Sequence, residues 1–344
     1  MVAEQVVAGV TRVIVGRGLL DPAVILSDRE RSVVAVVAQP STARLARDFT
    51  RSAARAGIRS EIRVLPDGEA AKDLAVIRDL YGWLAALEVT RSDTLVAFGG
   101  GSLTDTAGFA AATYLRGIEA VYVSTTLLGA VDAAIGGKTG VNFGAKNLIG
   151  SFRHPARVVV DIDVLDRLPE AVRRSGMSEA LKAGLVGDVA LLELLERDRM
   201  AADLEEVVGR AVAVKAAVVG RDFEEQGERV HLNYGHTIGH GVEIVAGIGH
   251  GEAVAIGMVA AGRASALERD FREEDRQRAA IAGLGLPIAA PGLDRAAVVP
   301  LLAVDKKRDV GGLRMVLLKR IGAPTVGHVG SATVEAALTA VDIA

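Results

Sequence analysis

The densest chemistry in the sequence lies in Leu232-Asn-Tyr-Gly-His-Thr-Ile-Gly-His240, followed ten residues later by His250-Gly-Glu-Ala-Val-Ala. The chain has six histidines, and three of them, His236, His240 and His250, fall in this one stretch. On a helix, His236 and His240 stand one turn apart on the same face. A third imidazole on the next element closes on the same point. That is the spacing of a metal site built on helices, because neutral imidazole is a common ligand for zinc and related ions. The competing reading is two histidines lining a packed helix, and the third histidine with its neighbouring glycines weighs against it. The chain has no cysteine, so any metal must be held by His, Asp or Glu.

A second group of residues points to phosphate. Phe98-Gly-Gly-Gly-Ser-Leu-Thr-Asp-Thr-Ala-Gly-Phe109 follows a strand-like run and opens a helix. Glycines let backbone approach a pyrophosphate, and a helix N-terminus offers N–H groups to the anion. The spacing is not G-x-G-x-x-G, so a tight turn without a ligand stays open. Asp67-Gly-Glu-Ala-Ala-Lys72 follows the preceding strand and alone reads as an ordinary turn. Thr125 and Thr126, after the next strand, add two hydroxyls. Three loops on one sheet edge favour a dinucleotide.

The elements that must carry these groups are legible as pattern. Val33–Ala38, Ile62–Leu65, Thr94–Phe98 and Ala120–Ser124 read as strands, with helices over Ser41–Ala56 and Ala75–Leu87 between them. Such alternation predicts an α/β domain with a mostly parallel, Rossmann-like sheet. Beyond Pro169 come long Ala/Leu/Val segments rich in Glu and Arg, among them Ala190–Arg199, Leu204–Val219 and His250–Arg269. The expected organisation is therefore a nucleotide-binding α/β domain over 1–169 and a mainly α-helical metal- and substrate-binding domain over 170–344. A short strand pair is expected near Arg314–Leu318 and Pro324–Val326.

Composition excludes several classes. Half of the 344 residues are hydrophobic and only 3% aromatic, so the core must be aliphatic. Net charge is −3 with no extended basic block, which argues against nucleic-acid binding. No apolar run is long enough to span a bilayer and the N-terminus lacks a secretory pattern, so a soluble, cytoplasmic protein is expected.

One more set is unusual. Arg116, Lys138, Lys146, Lys182, Lys215, Arg229, Lys306 and Lys307 include several cations in apolar or glycine-rich surroundings. Each alone reads as a solvated charge. With Asp132, Asn147, Glu179 and Asn233 they suggest a pocket for a small molecule with several anionic groups.

At this point the sequence closely resembles the 3-dehydroquinate synthase family of sugar-phosphate cyclases. The resemblance is carried by Gly99-Gly-Gly-x-x-x-Asp105, Ala112-Thr-Tyr-Leu-Arg-Gly117, Thr125-Thr-Leu-Leu128 and Val131-Asp-Ala-Ala-Ile-Gly-Gly-Lys-Thr139. It continues through Lys146-Asn-Leu-Ile-Gly150, Glu179-x-x-Lys182, Arg229-x-x-x-Asn-x-Gly-His236, His240, His250-Gly-Glu252 and Asp305-Lys-Lys307. The resemblance runs from about residue 13 to about residue 326, nearly the whole chain.

The resemblance implies a metal held by Glu179, His236 and His250, with zinc expected and cobalt the alternative. His240 then faces substrate rather than metal. It implies NAD held by Asp67, Glu69, Lys72, Gly100, Gly101, Ser102, Asp105, Thr125, Thr126, Lys138 and Lys146. Arg116, Lys138, Asn147, His240 and Lys306 or Lys307 resemble the phosphate-binding set, and Lys215 with Arg229 the carboxylate-binding pair. Asp132, Glu179, Lys182 and Asn233 match positions around the ring hydroxyls, and Glu225 joins Lys182, Asp132, Asn233 and His240 as a catalytic candidate. A homodimer is expected. Two departures fall on the nucleotide and phosphate side: the loop from Lys138 to Lys146 is one residue shorter than usual in the family, and Ser124 replaces a proline.

The implied reaction is conversion of 3-deoxy-D-arabino-heptulosonate 7-phosphate to 3-dehydroquinate and phosphate, a step of the shikimate pathway. NAD removes a hydride, phosphate leaves, the hydride returns, and the opened ring closes by an aldol step. The alternatives are an aminodehydroquinate synthase of an antibiotic pathway, a metal-dependent polyol dehydrogenase, and a catalytically silent metabolite-binding protein. The cation cluster argues against the dehydrogenase, because a neutral alcohol needs no such charge.

Overall fold

The computed structural model describes residues 3–304 and 312–344. The chain divides into two compact units: the first runs up to Leu168 and includes Lys215–Glu224, and the second comprises Pro169–Val214 and the described residues from Glu225 onward.

In the first unit the strands are β1 (Ala3–Val7), β2 (Thr11–Gly16), β3 (Val34–Ala38), β4 (Ser60–Val64), β5 (Thr94–Gly99), β6 (Glu119–Ser124), β7 (Lys138–Phe143), β8 (Ala145–Phe152) and β9 (Arg157–Asp161). A seven-stranded sheet has the order β1-β2-β9-β6-β5-β3-β4, parallel except for the β1–β2 pair. Every residue of β3 and β5 is buried, as expected of central parallel strands covered on both faces. The edge strand β4 has no fully buried residue.

Helices α1 (Pro22–Ile25), α2 (Ala43–Arg55), α3 (Leu74–Ala86), α4 (Gly101–Thr113) and α5 (Ile162–Leu165) accompany this sheet. Helix α2 buries Ala43, Ala46, Phe49 and Ala53, a single helical stripe. Phe49 packs on Phe98 with ring centroids 5.2 Å apart. From β3 the chain steps outward to β4, then returns past β3 to β5 and continues to β6. The carboxyl ends of β3 and β5 therefore form a topological switch point, where open α/β sheets bind ligands.

The sequence reading of Lys138 to Lys146 as a loop is corrected. The segment is the first strand and turn of the antiparallel β7–β8 ribbon, reversing at Gly144 (φ 69°) with a register shift between Val141 and Phe143. Gly140, Asn142 and Gly144 break the alternation by which strands are recognised. Strands β1 and β9 also escape a pattern reading: the first is a polar edge, and the second is three valines between charges.

The second unit contains α6 (Glu170–Val186), α7 (Val189–Asp198), most of α8 (Leu204–Arg221), α9 (His236–Ala246), α10 (His250–Arg269), α11 (Glu274–Gly283), α12 (Arg295–Val304) and α13 (Ser331–Thr339). The expected strand pair is present as the antiparallel hairpin β10 (Leu313–Arg320) and β11 (Ala323–Val329). Helix α10 is its axis. It packs against α6, α9, α11, α13 and β10, and it is buried nearly all round. Its small residues let neighbouring backbones approach. Gly235, at φ 82° before α9, is one such close approach beside the site: a Cβ there would stand 2.8 Å from the main-chain nitrogen of Met258. No helix among the described residues is long and apolar enough to cross a membrane.

Candidate active site

Three side chains converge inside the second unit. Glu179 projects from the buried face of α6, His236 is the first residue of α9, and His250 is the first residue of α10. Glu179 Oε1 lies 3.5 Å from His236 Nε2 and 3.4 Å from His250 Nε2. Two donors bound ~2.1 Å from a tetrahedral zinc stand ~3.4 Å apart, so the spacing suits a shared ion. The donor set suits it too, since one carboxylate and two imidazoles leave a coordination position for substrate or water. Lys182, one turn further along α6, donates to the other carboxylate oxygen, Oε2.

The two imidazoles titrate differently. Burial, reinforced by the Lys182 charge, pushes His236 down to about 3, so its ring is neutral and ready to donate a lone pair. Burial also works against a charged His250, but hydrogen bonds and charge from Glu179 and Glu243 override it and raise that ring to about 9. His240 does not join the Glu179 group. It is exposed, its ring centroid 6.0 Å from that of His250, and it clusters instead with Glu243 and His250.

Nearby, the six-residue 3₁₀ helix Glu228–Asn233 carries Arg229, which is only 2% exposed, and Asn233. Asn233 Nδ2 donates to Glu225 Oε1 at 2.8 Å. Glu225 has φ 60°, a conformation a non-glycine residue holds only when its surroundings impose it.

In the first unit, the glycine turn lies at the switch point. Gly100 precedes α4, a thirteen-residue helix whose N-terminus opens at the carboxyl end of β5. A Cβ on Gly100 would sit 2.9 Å from Thr126 Oγ1, so only glycine lets the post-β6 loop close on this turn. Thr125 N donates to Gly99 O at 3.0 Å. Gly101, Ser102, Thr125 and Thr126 are thus brought to one edge. The post-β4 segment joins them, because Ser102 Oγ donates to Glu69 Oε1 at 3.0 Å. Asp67 is exposed at the start of that segment. A helix N-terminus with a glycine approach and flanking hydroxyls suits a dinucleotide pyrophosphate.

Lys72, 3% exposed, donates to Asp105 Oδ2 at 2.7 Å and Asn147 Oδ1 at 2.9 Å. Burial lifts Asp105 to about 6, and the Lys72 charge only partly opposes it. Glu69 is lowered: burial would raise it, but Lys72, the Asn142 amide and Lys146 prevail. Asp105, Lys138 and Asn147 line a cavity of about 370 Å³ with Thr139, Gly140, Gly150, Ser151 and Phe152. Asn147 sits at φ 54° and its N–H donates to Asn142 Oδ1 at 2.8 Å.

Asp132 lies in a π-helical turn, Gly129–Ala133, a distortion frequent at functional sites. Lys215 Nζ donates to its main-chain oxygen and to its Oδ1. Arg116 closes the short 3₁₀ turn Tyr114–Arg116 that follows α4. It is exposed at φ 64° beyond the far end of α4, about 12 Å of helix axis past Asp105. Lys306 and Lys307 lie outside the described residues.

Two residues escape a reading of the sequence. Glu243 Oε2 accepts from His250 Nδ1 at 2.9 Å, and its signal was its place two turns after His236 on one face of α9. Asn142 donates to Glu69 Oε2 at 3.2 Å as well as accepting from Asn147. Nothing in its own strand pattern marks it.

Comparison with known proteins accords with this chemistry. The family models described as 3-dehydroquinate synthase N-terminal and C-terminal match residues 62–175 and 176–308. A 3-dehydroquinate synthase of Thermobifida fusca (strain YX) is 41% identical over 325 residues, spanning 91% of this chain and 88% of that protein. Among solved structures, a 2-deoxy-scyllo-inosose synthase complexed with carbaglucose-6-phosphate, NAD+ and Co2+ superposes with a TM-score of 0.88 at 26% identity, covering 97% of this chain and 98% of that one. The 2-epi-5-epi-valiolone synthase ValA from Streptomyces hygroscopicus subsp. jinggangensis 5008, with NAD+ and Zn2+ bound, superposes at 0.86 with 28% identity and 96% coverage of each chain. With both halves matched and full-length relatives above 40% identity, the chain belongs to the 3-dehydroquinate synthase family.

Proposed function

We propose that this chain converts 3-deoxy-D-arabino-heptulosonate 7-phosphate to 3-dehydroquinate and phosphate, as an NAD- and metal-dependent carbon–oxygen lyase. The observation that carries the reading is the Glu179–His236–His250 set with buried Lys182 beside it. A neutral alcohol needs no such cation, whereas a substrate that develops negative charge does.

Glu179 Oε1 and the two Nε2 atoms would hold the divalent ion, zinc or cobalt, which would polarise the reacting hydroxyl and carbonyl oxygens. NAD, when bound, supplies a hydride acceptor that is restored within each turnover. Lys182 fixes the second oxygen of Glu179 and adds positive charge where an enolate oxygen develops. Lys138 and Asn147 hold the phosphate, whose own oxygens serve as the base for its departure. Lys215 and Arg229 bind the carboxylate, and Asp132 holds Lys215 in place meanwhile. Glu225 orients the Asn233 amide toward a ring hydroxyl, and His240 faces substrate from the solvent side of the ligands. A cytoplasmic homodimer belongs to the same proposal, checked by cell fractionation and sedimentation.

The deciding assay uses NAD far below substrate. Phosphate should accumulate in proportion to substrate consumed with no net NADH, and the product should be identified as 3-dehydroquinate. NADH rising one-for-one with product would show a dehydrogenase instead. An amino-substituted product from an amino-substituted substrate, with the oxygen compound untouched, would show the antibiotic-pathway enzyme.

A further inference from the structure

We infer that Glu243 is a positioning residue of the metal centre: through Nδ1 of His250 it sets the tautomer and aim of that ring, so that Nε2 faces Glu179 and His236. The inference rests on the metal-site reading above and extends it to a residue outside the ligand set.

The two ligand imidazoles are oriented by the same device with different parts. His236 Nδ1 lies 3.3 Å from the main-chain oxygen of Tyr234, an acceptor only, which favours the proton on Nδ1 and leaves Nε2 to donate its lone pair. His250 Nδ1 lies 2.9 Å from Glu243 Oε2, and an ionised carboxylate is likewise an acceptor only. In both rings the opposite nitrogen, Nε2, points at Glu179 Oε1. A metal-bound histidine whose second nitrogen meets a carboxylate is held in orientation and made more basic.

His250 needs such a partner more than His236 does. Both rings open their helices, so neither has a preceding helical turn to restrict it, but the connection before His250 is Gly247-Ile-Gly249. Its side chain is 27% exposed, against 11% for His236, so packing restrains it less. Glu243 supplies the restraint from α9. It falls seven residues after His236, on the same helix face, so one stripe of α9 delivers a ligand and the group that orients another.

The test compares wild type with Glu243→Leu, which removes the acceptor, and Glu243→Gln, which keeps an acceptor oxygen without the charge. Zinc affinity is measured by chelator competition, zinc stoichiometry by elemental analysis, and the ligand field by the visible spectrum of the cobalt-loaded protein. Glu243→Leu should bind zinc roughly 10–100-fold more weakly and shift the cobalt spectrum, with Glu243→Gln between it and wild type. The metal-free melting temperature should stay near that of wild type, since a merely structural hydrogen bond would lower it and leave affinity alone. Unchanged zinc affinity and spectrum in Glu243→Leu overturn the inference. So does a wild type that binds two equivalents of which Glu243→Leu loses only the second, because Glu243 would then be a ligand. Should Glu243→Leu not fold, Glu243→Asp carries the same reading: weaker zinc supports it, and equal affinity overturns it. A His236→Ala control separates the parent reading, for if that protein folds and keeps a full equivalent of zinc, the metal site itself is misassigned and this inference falls with it.

Discussion

Lys215 Nζ donates to both the main-chain oxygen and Oδ1 of Asp132, each at 2.5 Å, with the lysine side chain only 10% exposed. A cation expected to bind a substrate carboxylate is thus already held by an internal one, and substrate must compete with or share that contact. Lys215→Met should raise KM for the carboxylated substrate by roughly 10–100-fold, the scale of a charge-assisted contact worth about 1.5–3 kcal/mol. Steady-state kinetics on wild type and variant, with the substrate and an analogue lacking the carboxylate, provides the check. If wild type binds that analogue as well as the natural compound, the assignment of Lys215 is wrong.

The placement of His240 outside the Glu179 group separates two histidines one turn apart. His236→Ala should lose bound zinc and activity together. His240→Ala should keep a full equivalent of zinc while kcat falls on the order of 10²-fold or more, the scale of a general acid–base or positioning group. Elemental analysis of the folded variants alongside turnover decides it. Equal zinc loss in both would return His240 to the ligand set.

Asp93, buried, and Asp105, partly buried, should make stability respond to pH in opposite directions. Burial would raise Asp93, but N–H groups of Thr90, Val33 and Ser32, with two hydroxyls, hold it down at about 2. Its contribution is present above the unfolded carboxylate range near ~4 and is lost as pH falls through about 2, and Asp93→Asn should cost roughly 2–3 kcal/mol at pH 7. Asp105 is raised to about 6, so the folded state binds its proton more tightly than the unfolded chain does. Stability from that group is greatest below ~4 and falls as pH rises through about 6. Urea midpoints from pH 2 to 8 should show Asp105→Asn flattening the decline between 4 and 6, and an unchanged slope would refute the assignment.

Gly235 joins the metal site to the packing of its helices. At φ 82°, with any Cβ held 2.8 Å from Met258 N, Gly235→Ala must shift either α9 or α10. It should cost about 1–3 kcal/mol and weaken zinc binding in parallel. Denaturation and zinc titration on one sample test the coupling. A destabilised variant with wild-type zinc affinity would show that the ligands tolerate the shift.

Much of this protein is legible in the order of its residues. The runs at Val34–Ala38 and Thr94–Gly99 are apolar except for Thr94 because parallel central strands are covered on both faces, and with the helices between such runs that pattern predicts the sheet. The helix beginning at His250 follows from local pattern, and the absence of cysteine leaves His, Asp and Glu as the only metal donors. Local rules fail where neighbours in space are distant in sequence. His236 and His240 share a helix face, so spacing cannot choose between them; the position of Glu179 on another helix does, bringing its Oε1 within 3.5 Å of His236 Nε2. The Lys72–Asp105–Asn147 group and the β7–β8 ribbon depend likewise on long-range packing, since glycines and polar residues there carry no periodic signal. Side-chain type sets which reactions are open to a residue, but the free energy that selects its partners comes from burying whole helices and strands. That burial is a property of the assembled chain, which is why spacing alone could single out the histidines, whereas Glu179 came from the family resemblance and its approach to the two rings is a fact of the fold.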